Sequence, residues 1–342
     1  MTRKSILWVA LLALLLLVVS GAASAQTEAR ATSVQLSWFP NIEYAGLYEA
    51  ERNGFFTAQG LTVELKPGGF DEAGVYINPV DQVINGNADF GITGAHVILS
   101  SRAEGKPLVA IAAIYQRTPV VLFSLPGSNI NRPEDLVGKR VGTQPDGSAI
   151  GIKFRALLAS KNLTMDQIVA NTSIDFNSPD PLFSGEVDVM QGFLTNQAVQ
   201  ARLRDPEVKI MLMSDYGIDF YSNVLFTTEQ MIQEQPAVVQ GMVQAMVDGL
   251  NSTVADPDAA AAYALENHIA NGADEQVRQV QIDGILTSIP LINPPNSRPG
   301  MMSADIWAHA LDVLVNQNLI GDNQNVNSAF TLSFLNQAYA GS

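Results

Sequence analysis

The apolar positions of this chain follow two alternating rhythms: short runs of strand character, and longer stretches in which apolar side chains return at helical spacing. Val34 and Leu36 open with a strand. Pro40 breaks it, because proline removes a backbone donor and restricts the residue before it. From Glu43 the pattern is helical, with Tyr44, Leu47 and Tyr48 at three- and four-residue spacing and Gly54 as C-cap. Leu61 to Leu65 is a second strand, Asp81 to Asn85 a short helix and Phe90 to Ile92 a third strand, which hands over at Thr93-Gly94-Ala95-His96 to a helix ending near Glu104. The near-continuous apolar run Leu108 to Tyr115 has the character of a strand buried on both faces.

Val120 to Ser124 reads as a strand that crosses into a second lobe, and Lys139 to Thr143 as the next strand. The latter connects through Gln144-Pro145-Asp146-Gly147-Ser148 to the helix Ile150 to Ala159. Ile174 and Phe176 suggest a strand, as do Val187 to Gln191 and Lys209 to Met213; the segment Gly192 to Gln197 leads into a helix reaching Leu203. Ser222 to Phe226 reads as the return crossing. The rest is mainly helical, over Pro236 to Val254, Ala259 to Leu265, Asp274 to Ile285 and Ser303 to Leu319. Strands alternating with helices predict an α/β fold with parallel sheets and right-handed crossovers. The expected division is a first lobe of residues 33–122 plus 223–342 and an inserted second lobe of residues 123–222.

Composition narrows this picture. Residues 1–25 have the form of a secretory signal peptide: Arg3 and Lys4, an apolar core from Ile6 to Val19, and Ala23-Ser24-Ala25 before the processing point. The chain has no cysteine, so it has no disulfide, thiolate metal site, cysteine nucleophile or lipidated cysteine anchor. A formal charge of −15 and the lack of a basic patch interleaved with aromatics argue against a nucleic-acid partner. His96, His268 and His309 show no metal-ligand spacing. Ser148 lacks a Gly-x-Ser-x-Gly elbow and is read as an N-cap or ligand donor. The loop Pro67 to Gly74 is glycine-rich, but Asp71 and Glu72 oppose phosphate binding, so it is read as a solvated turn.

The stretch WFPNIEYAGLYEAERNGFFTAQGLTVEL, followed by QVINGNADFGITGAHVIL, INRPEDLVGKRVGTQPDGS and SGEVDVMQGFLTN, resembles periplasmic solute-binding proteins of ABC importers. Within these it is similar to the SsuA/THI5-like branch that includes thiamine-pyrimidine-precursor and riboflavin binders. The resemblance implies a two-lobed periplasmic binding fold, type II-like, with a ligand cleft between the lobes. It also implies a monomer in the periplasm or cell-wall space, working with a membrane permease and an ATPase. The related pyrimidine synthases carry a cysteine-rich motif, a histidine and a lysine that bears pyridoxal phosphate. Here the cysteines are absent, His96 matches the histidine and Asn87 stands where the lysine would fall, so a non-enzyme without cofactor is expected.

Strand-to-helix junctions are where open α/β sheets bind ligands. The expected site therefore takes Trp38, Asn41, Tyr44, Gly94, His96 and Tyr115 from the first lobe. From the second it takes Gln144, Asp146, Gly147, Ser148, Phe193, Asn196 and Gln197. Aromatic faces would sandwich a flat heterocycle and amides would read its edge. Pyrimidine binders of the branch typically carry glutamate after the LTN motif; this chain has Gln197, whose amide matches an imide edge better than an amidine edge. That favours riboflavin, with a pyrimidine thiamine precursor as the alternative. A sensor without transport is a further possibility. Sulfonates fit less well, since the junction segments offer no Arg or Lys.

Overall fold

The structure, a computed structural model, describes residues 29–144, 148–272, 274–322 and 324–340. The leader reading for residues 1–25 lies outside these described residues. Ten strands are described: β1 Arg30–Gln35, β2 Leu61–Lys66, β3 Phe90–Thr93, β4 Leu108–Tyr115, β5 Val120–Ser124, β6 Arg140–Gly142, β7 Val169–Asn171, β8 Val189–Phe193, β9 Lys209–Leu212 and β10 Ser222–Thr228. They form two five-stranded sheets with orders β2-β1-β3-β10-β4 and β7-β6-β8-β5-β9.

The α/β, two-lobed expectation holds, with one refinement. Each sheet is mixed: β1 runs parallel to β2 and β3, and β6 parallel to β7 and β8. The crossing strands β10 and β5 pair antiparallel with both of their neighbours. A strand arriving from the other lobe enters at the edge where the parallel strands end, so it must run against them. Hydrophobic period reports burial but not strand direction, which is why the sequence did not reveal this. A second difference concerns Ile174 and Phe176, which lie outside any strand. The edge strand is β7, and Ile174 and Phe176 are buried core residues of the segment after it. Ile174 packs over Gly142, where a Cβ would meet its Cδ1 at 2.4 Å.

The outer edge of the first sheet is covered by the C-terminal part of the chain. Ala110 N donates to Ala329 O and Ala113 N to Gly300 O, both at 2.9 Å, and Gln116 N donates to Leu291 O at 2.8 Å. These bonds satisfy backbone groups that an open edge would leave free for another chain. The helix Glu275–Ile292 runs past the expected stop at Ile285, with Pro290 in its last turn.

The helix Ala45–Arg52 packs across the long helix Pro236–Ala255. Gly46 and Gly249 make that crossing possible: a Cβ on Gly249 would sit 1.9 Å from the Gly46 carbonyl oxygen, and one on Gly46 would sit 2.5 Å from Leu250 Cδ2. Two backbones this close admit no side chain between them. At the N-terminal end of the shorter helix, a 3-10 turn Ile42–Tyr44 is capped by Asn41, whose Oδ1 accepts from Glu43 N at 2.7 Å. Ile42 N donates to Gln281 Oε1 at 2.9 Å.

Gly249→Ala is expected to destabilise the protein by about 1–3 kcal/mol through overpacking. Exposed Gly127, with nothing within 4 Å of a built Cβ, should tolerate alanine within about 0.5 kcal/mol. Chemical denaturation of the two variants measures the difference.

Candidate ligand site between the two sheets

The chain passes between the lobes twice, through residues 116–119 after β4 and residues 213–221 before β10. Beside these crossings lies a small cavity of about 50 Å³, partly open to solvent. That is well below the roughly 300–1,000 Å³ usual for small-molecule sites, so a bound heterocycle requires the lobes to part further. Ser37, Trp38, Glu43, Tyr76 and Asn223 line it from the first lobe, and Gln144, Ser148, Ile150, Phe193 and Gln197 from the second.

The glycine-rich loop builds one wall. Gly68 and Gly69 are buried, contrary to the solvated-turn reading, while residues 71–75 are exposed. Only glycine fits at 68, where a Cβ would lie 2.3 Å from Leu36 O and 2.7 Å from Trp38 N. Gln35 Nε2 donates to Pro67 O at 2.8 Å and Gly68 N to Trp38 O at 3.1 Å, drawing the loop onto the strand end. The loop then supports an edge-to-face cluster: Trp38 with Phe39 at 5.6 Å and with Phe70 at 5.5 Å, and Phe70 with Tyr76 at 5.9 Å between ring centroids. Such packing holds the indole in one orientation.

Glu43 is the buried acid of this cavity, 5% exposed. Its Oε2 accepts from Asn223 Nδ2 at 3.2 Å. Asn223, the second residue of the return strand, is in the left-handed region at φ 54°, a strained state for a residue with a side chain, though asparagine tolerates it better than most. Burial pushes the Glu43 carboxyl up to about 8, partly opposed by the Asn223 hydrogen bond. Its titratable surroundings are tyrosines, with Tyr44, Tyr48 and Tyr115 close enough for its charge to raise their pKa values further above the usual phenol range.

Of the residues expected from sequence, Trp38, Gln144, Ser148, Phe193 and Gln197 come together in the cavity wall. Gln197, however, is spent inside its own lobe: Oε1 accepts from Phe193 N at 2.9 Å and Nε2 donates to Phe176 O at 3.1 Å. The edge-reading role assigned to it is therefore corrected. Ser148 Oγ caps a helix, accepting from Gly151 N at 3.1 Å.

Tyr44 and Tyr115 are fully enclosed core residues, their hydroxyls paired with Ser37 Oγ at 3.0 Å and Ser288 Oγ at 2.9 Å. Asn41 is a cap, and the Asn196 carboxamide accepts from Gln200 at 2.9 Å. His96 is buried against Phe220, with ring centroids 5.3 Å apart. Gly94 leaves room for that ring, since a Cβ there would meet His96 Cε1 at 2.3 Å. Asp146 and Gly147 lie outside the described residues. Sequence reading missed Ser37, Glu43, Tyr76, Ile150 and Asn223. The available signal was Glu43 itself, an acid set among Ile42, Tyr44, Ala45 and Leu47 on a buried helix start.

A second buried ionisable group sits at the crossings. Lys153, on the second-lobe helix Ala149–Ser160, donates to Thr118 Oγ1 at 2.8 Å, to Phe220 O at 3.2 Å and to Ser222 Oγ. It thus ties both crossings to one helix. Burial pulls its ammonium down to about 7, with Asp219 opposing.

Comparison with known proteins places the chain among others of this form. A family model described as NMT1/THI5 like matches residues 41–260. The riboflavin-binding protein RibY of Chloroflexus aurantiacus is 28% identical over 244 residues, 70% of this chain and 67% of that protein. A formylaminopyrimidine-binding protein of Halalkalibacterium halodurans is 25% identical over 321 residues, 88% of this chain and 91% of that protein. A 4-amino-5-hydroxymethyl-2-methylpyrimidine phosphate synthase of Legionella pneumophila is 25% identical over 230 residues, 66% of this chain and 70% of that protein. Among solved structures, the alkanesulfonate-binding protein SsuA of Xanthomonas axonopodis pv. citri, bound to MOPS, superposes with a TM-score of 0.63 at 15% identity, covering 88% of this chain and 98% of that one.

The raised Glu43 pKa has a consequence for stability. Below about 4.5 both folded and unfolded chains hold the proton; between 4.5 and 8 only the folded chain does, so stability falls as pH rises through that window. Glu43→Gln removes the loss. Its thermal stability should match the parent near pH 4.5 and exceed it increasingly toward pH 8, by on the order of 5 kcal/mol. Calorimetric melts across this range test it; an advantage that does not change with pH would contradict it.

Proposed function

The chain belongs to the NMT1/THI5-like family, and from that premise we propose that it is an extracytoplasmic solute-binding protein delivering a flat heterocyclic vitamin or vitamin precursor to an ABC importer. The observation that carries this reading is a single cavity lined by both lobes at their crossings, with an aromatic wall on one side. Ligand contacts made by both lobes at once favour the closed arrangement over the open one. In this reading the expected lobe boundaries move by a few residues, since Val120–Leu122 lie in β5 of the second sheet and Ser222 in β10 of the first; residues 1–25 direct export, and the monomer docks on a permease driven by an ATPase. No helix among the described residues is long and apolar enough to cross a membrane.

Riboflavin is the favoured ligand and a pyrimidine thiamine precursor the alternative. Support for riboflavin comes from the RibY relative and from the aromatic wall with a buried polar group facing it, and no longer from Gln197. The formylaminopyrimidine-binding relative supports the alternative. Against a synthase reading, His96 is shut into the core and Asn87 is exposed on a turn, its Nδ2 donating to Gln82 Oε1 at 3.1 Å.

Titration of the mature chain with riboflavin, followed by flavin fluorescence, and with 4-amino-5-hydroxymethyl-2-methylpyrimidine, followed by calorimetry, tests the ligand class. Trp38→Ala should weaken binding about tenfold or more, since stacking is worth roughly 0.5–1.5 kcal/mol beyond the buried area. Small-angle scattering should show compaction on saturation. Failure to bind either compound would overturn the heterocycle reading, and an unchanged radius with binding verified would overturn the hinge.

A further inference from the structure

We propose that Glu43, backed by Asn223, is the specificity-determining residue of the cleft, pairing one donor and one acceptor with the edge of an uncharged heterocycle. This rests on reading the cavity as a heterocycle site. Three observations converge on it.

First, four of the other polar side chains of the wall have bonding partners within the protein, while no such bond among the described residues restrains the Gln144 carboxamide. Both ends of the Gln197 carboxamide are used, Ser148 Oγ caps its helix, Tyr76 OH donates to Ser37 O at 3.1 Å, and Ser37 Oγ pairs with Tyr44 OH. Glu43 lines the same cavity with its Oε2 held by Asn223. A carboxyl has two oxygens and about four lone-pair positions, so one hydrogen bond leaves most of its capacity unused.

Second, Glu43 is held firmly. Asn41 caps the turn that carries it, Ile42 is tied to Gln281, and Asn223 adopts a left-handed backbone at the point where it meets the carboxyl. Strain persisting at a ligand cavity is the pattern expected of a side chain positioned for recognition.

Third, its surroundings favour the neutral acid. The neighbours that feel its charge are Tyr44, Tyr48 and Tyr115, all with pKa values raised by burial, and Tyr76 shares the cavity with a likewise raised pKa. No cationic side chain contributes to its titration, and burial holds the proton on until about pH 8. A neutral carboxylic acid presents one O–H donor beside one C=O acceptor. That pair is complementary to a neighbouring C=O and N–H, as on the imide edge of a flavin, and carries no net charge to hold a cation.

The test compares the parent, Glu43→Ala and Glu43→Gln, each first checked for folding by circular dichroism and thermal melting. The probes are riboflavin and 4-amino-5-hydroxymethyl-2-methylpyrimidine, from pH 6 to 9. For riboflavin, the alanine variant should lose about tenfold or more, as expected when a buried ligand group is left unpaired. The glutamine variant, which keeps one donor and one acceptor, should recover most of that loss. The parent's affinity should fall as pH rises through about 8, while that of the glutamine variant stays flat. Alanine and glutamine variants that both bind like the parent would overturn the proposal and leave the heterocycle reading intact. So would tight aminopyrimidine binding that Glu43→Gln abolishes, because the carboxyl would then be acting as a charge. A parent that binds neither probe removes the heterocycle reading itself, and this assignment with it.

Discussion

Where the helix Ala45–Arg52 crosses the helix Pro236–Ala255, two glycines bring the backbones so close that no Cβ fits between them. That contact fixes the short helix on the long one, and its N-terminal turn carries Glu43 to the cavity that both lobes line. The placement of Glu43 follows, since it sits two residues before Ala45 on a turn fixed by Asn41 and Gln281. A carboxyl in that position is largely removed from water. It keeps its proton, or it must be compensated by a partner the cavity does not hold. Tight helix packing in one layer thus sets the chemistry of a site in the next.

The site is also where the two lobes communicate. Asn223, near the start of the return strand, holds the carboxyl, while the neighbouring Ser222 accepts from Lys153 on the second lobe. Thr118 of the outgoing crossing and Phe220 of the returning one bind the same ammonium. A change in the angle between lobes must therefore be absorbed around a group already tied to both crossings. Glu43 and Lys153 thus put one buried ionisable group beside the ligand cavity and another at the crossings.

Much of the fold was legible because its elements announce themselves locally. Leu108 to Tyr115 could be read as a doubly buried strand from its composition alone, and Gly54 marked the end of a helix. The antiparallel direction of β5 and β10 was not, because direction depends on which lobe the chain has just left. The cavity was half legible for the same reason. Trp38, Ser148 and Phe193 sit at strand ends and face the cleft, but Tyr44, His96 and Tyr115 occupy equivalent positions and turn into the core. An aromatic at a junction suits either side, and tertiary packing decides. Asn223 and Glu43 are 180 residues apart, so nothing in a local window links them. The Gln197 argument failed because its partners, Phe193 and Phe176, offer backbone groups that sequence does not reveal.

Carbon-13 NMR of protein labelled at glutamate Cδ, with Glu43→Gln used to assign the missing resonance, examines the buried acid directly. In the ligand-free protein the Glu43 signal should remain that of a protonated carboxyl at pH 7 and titrate near 8. With riboflavin bound it should stay protonated to higher pH, because the ligand hydrogen-bonds to the neutral form. A Glu43 resonance that titrates near the ordinary 4.5, unmoved by the ligand, would contradict the account.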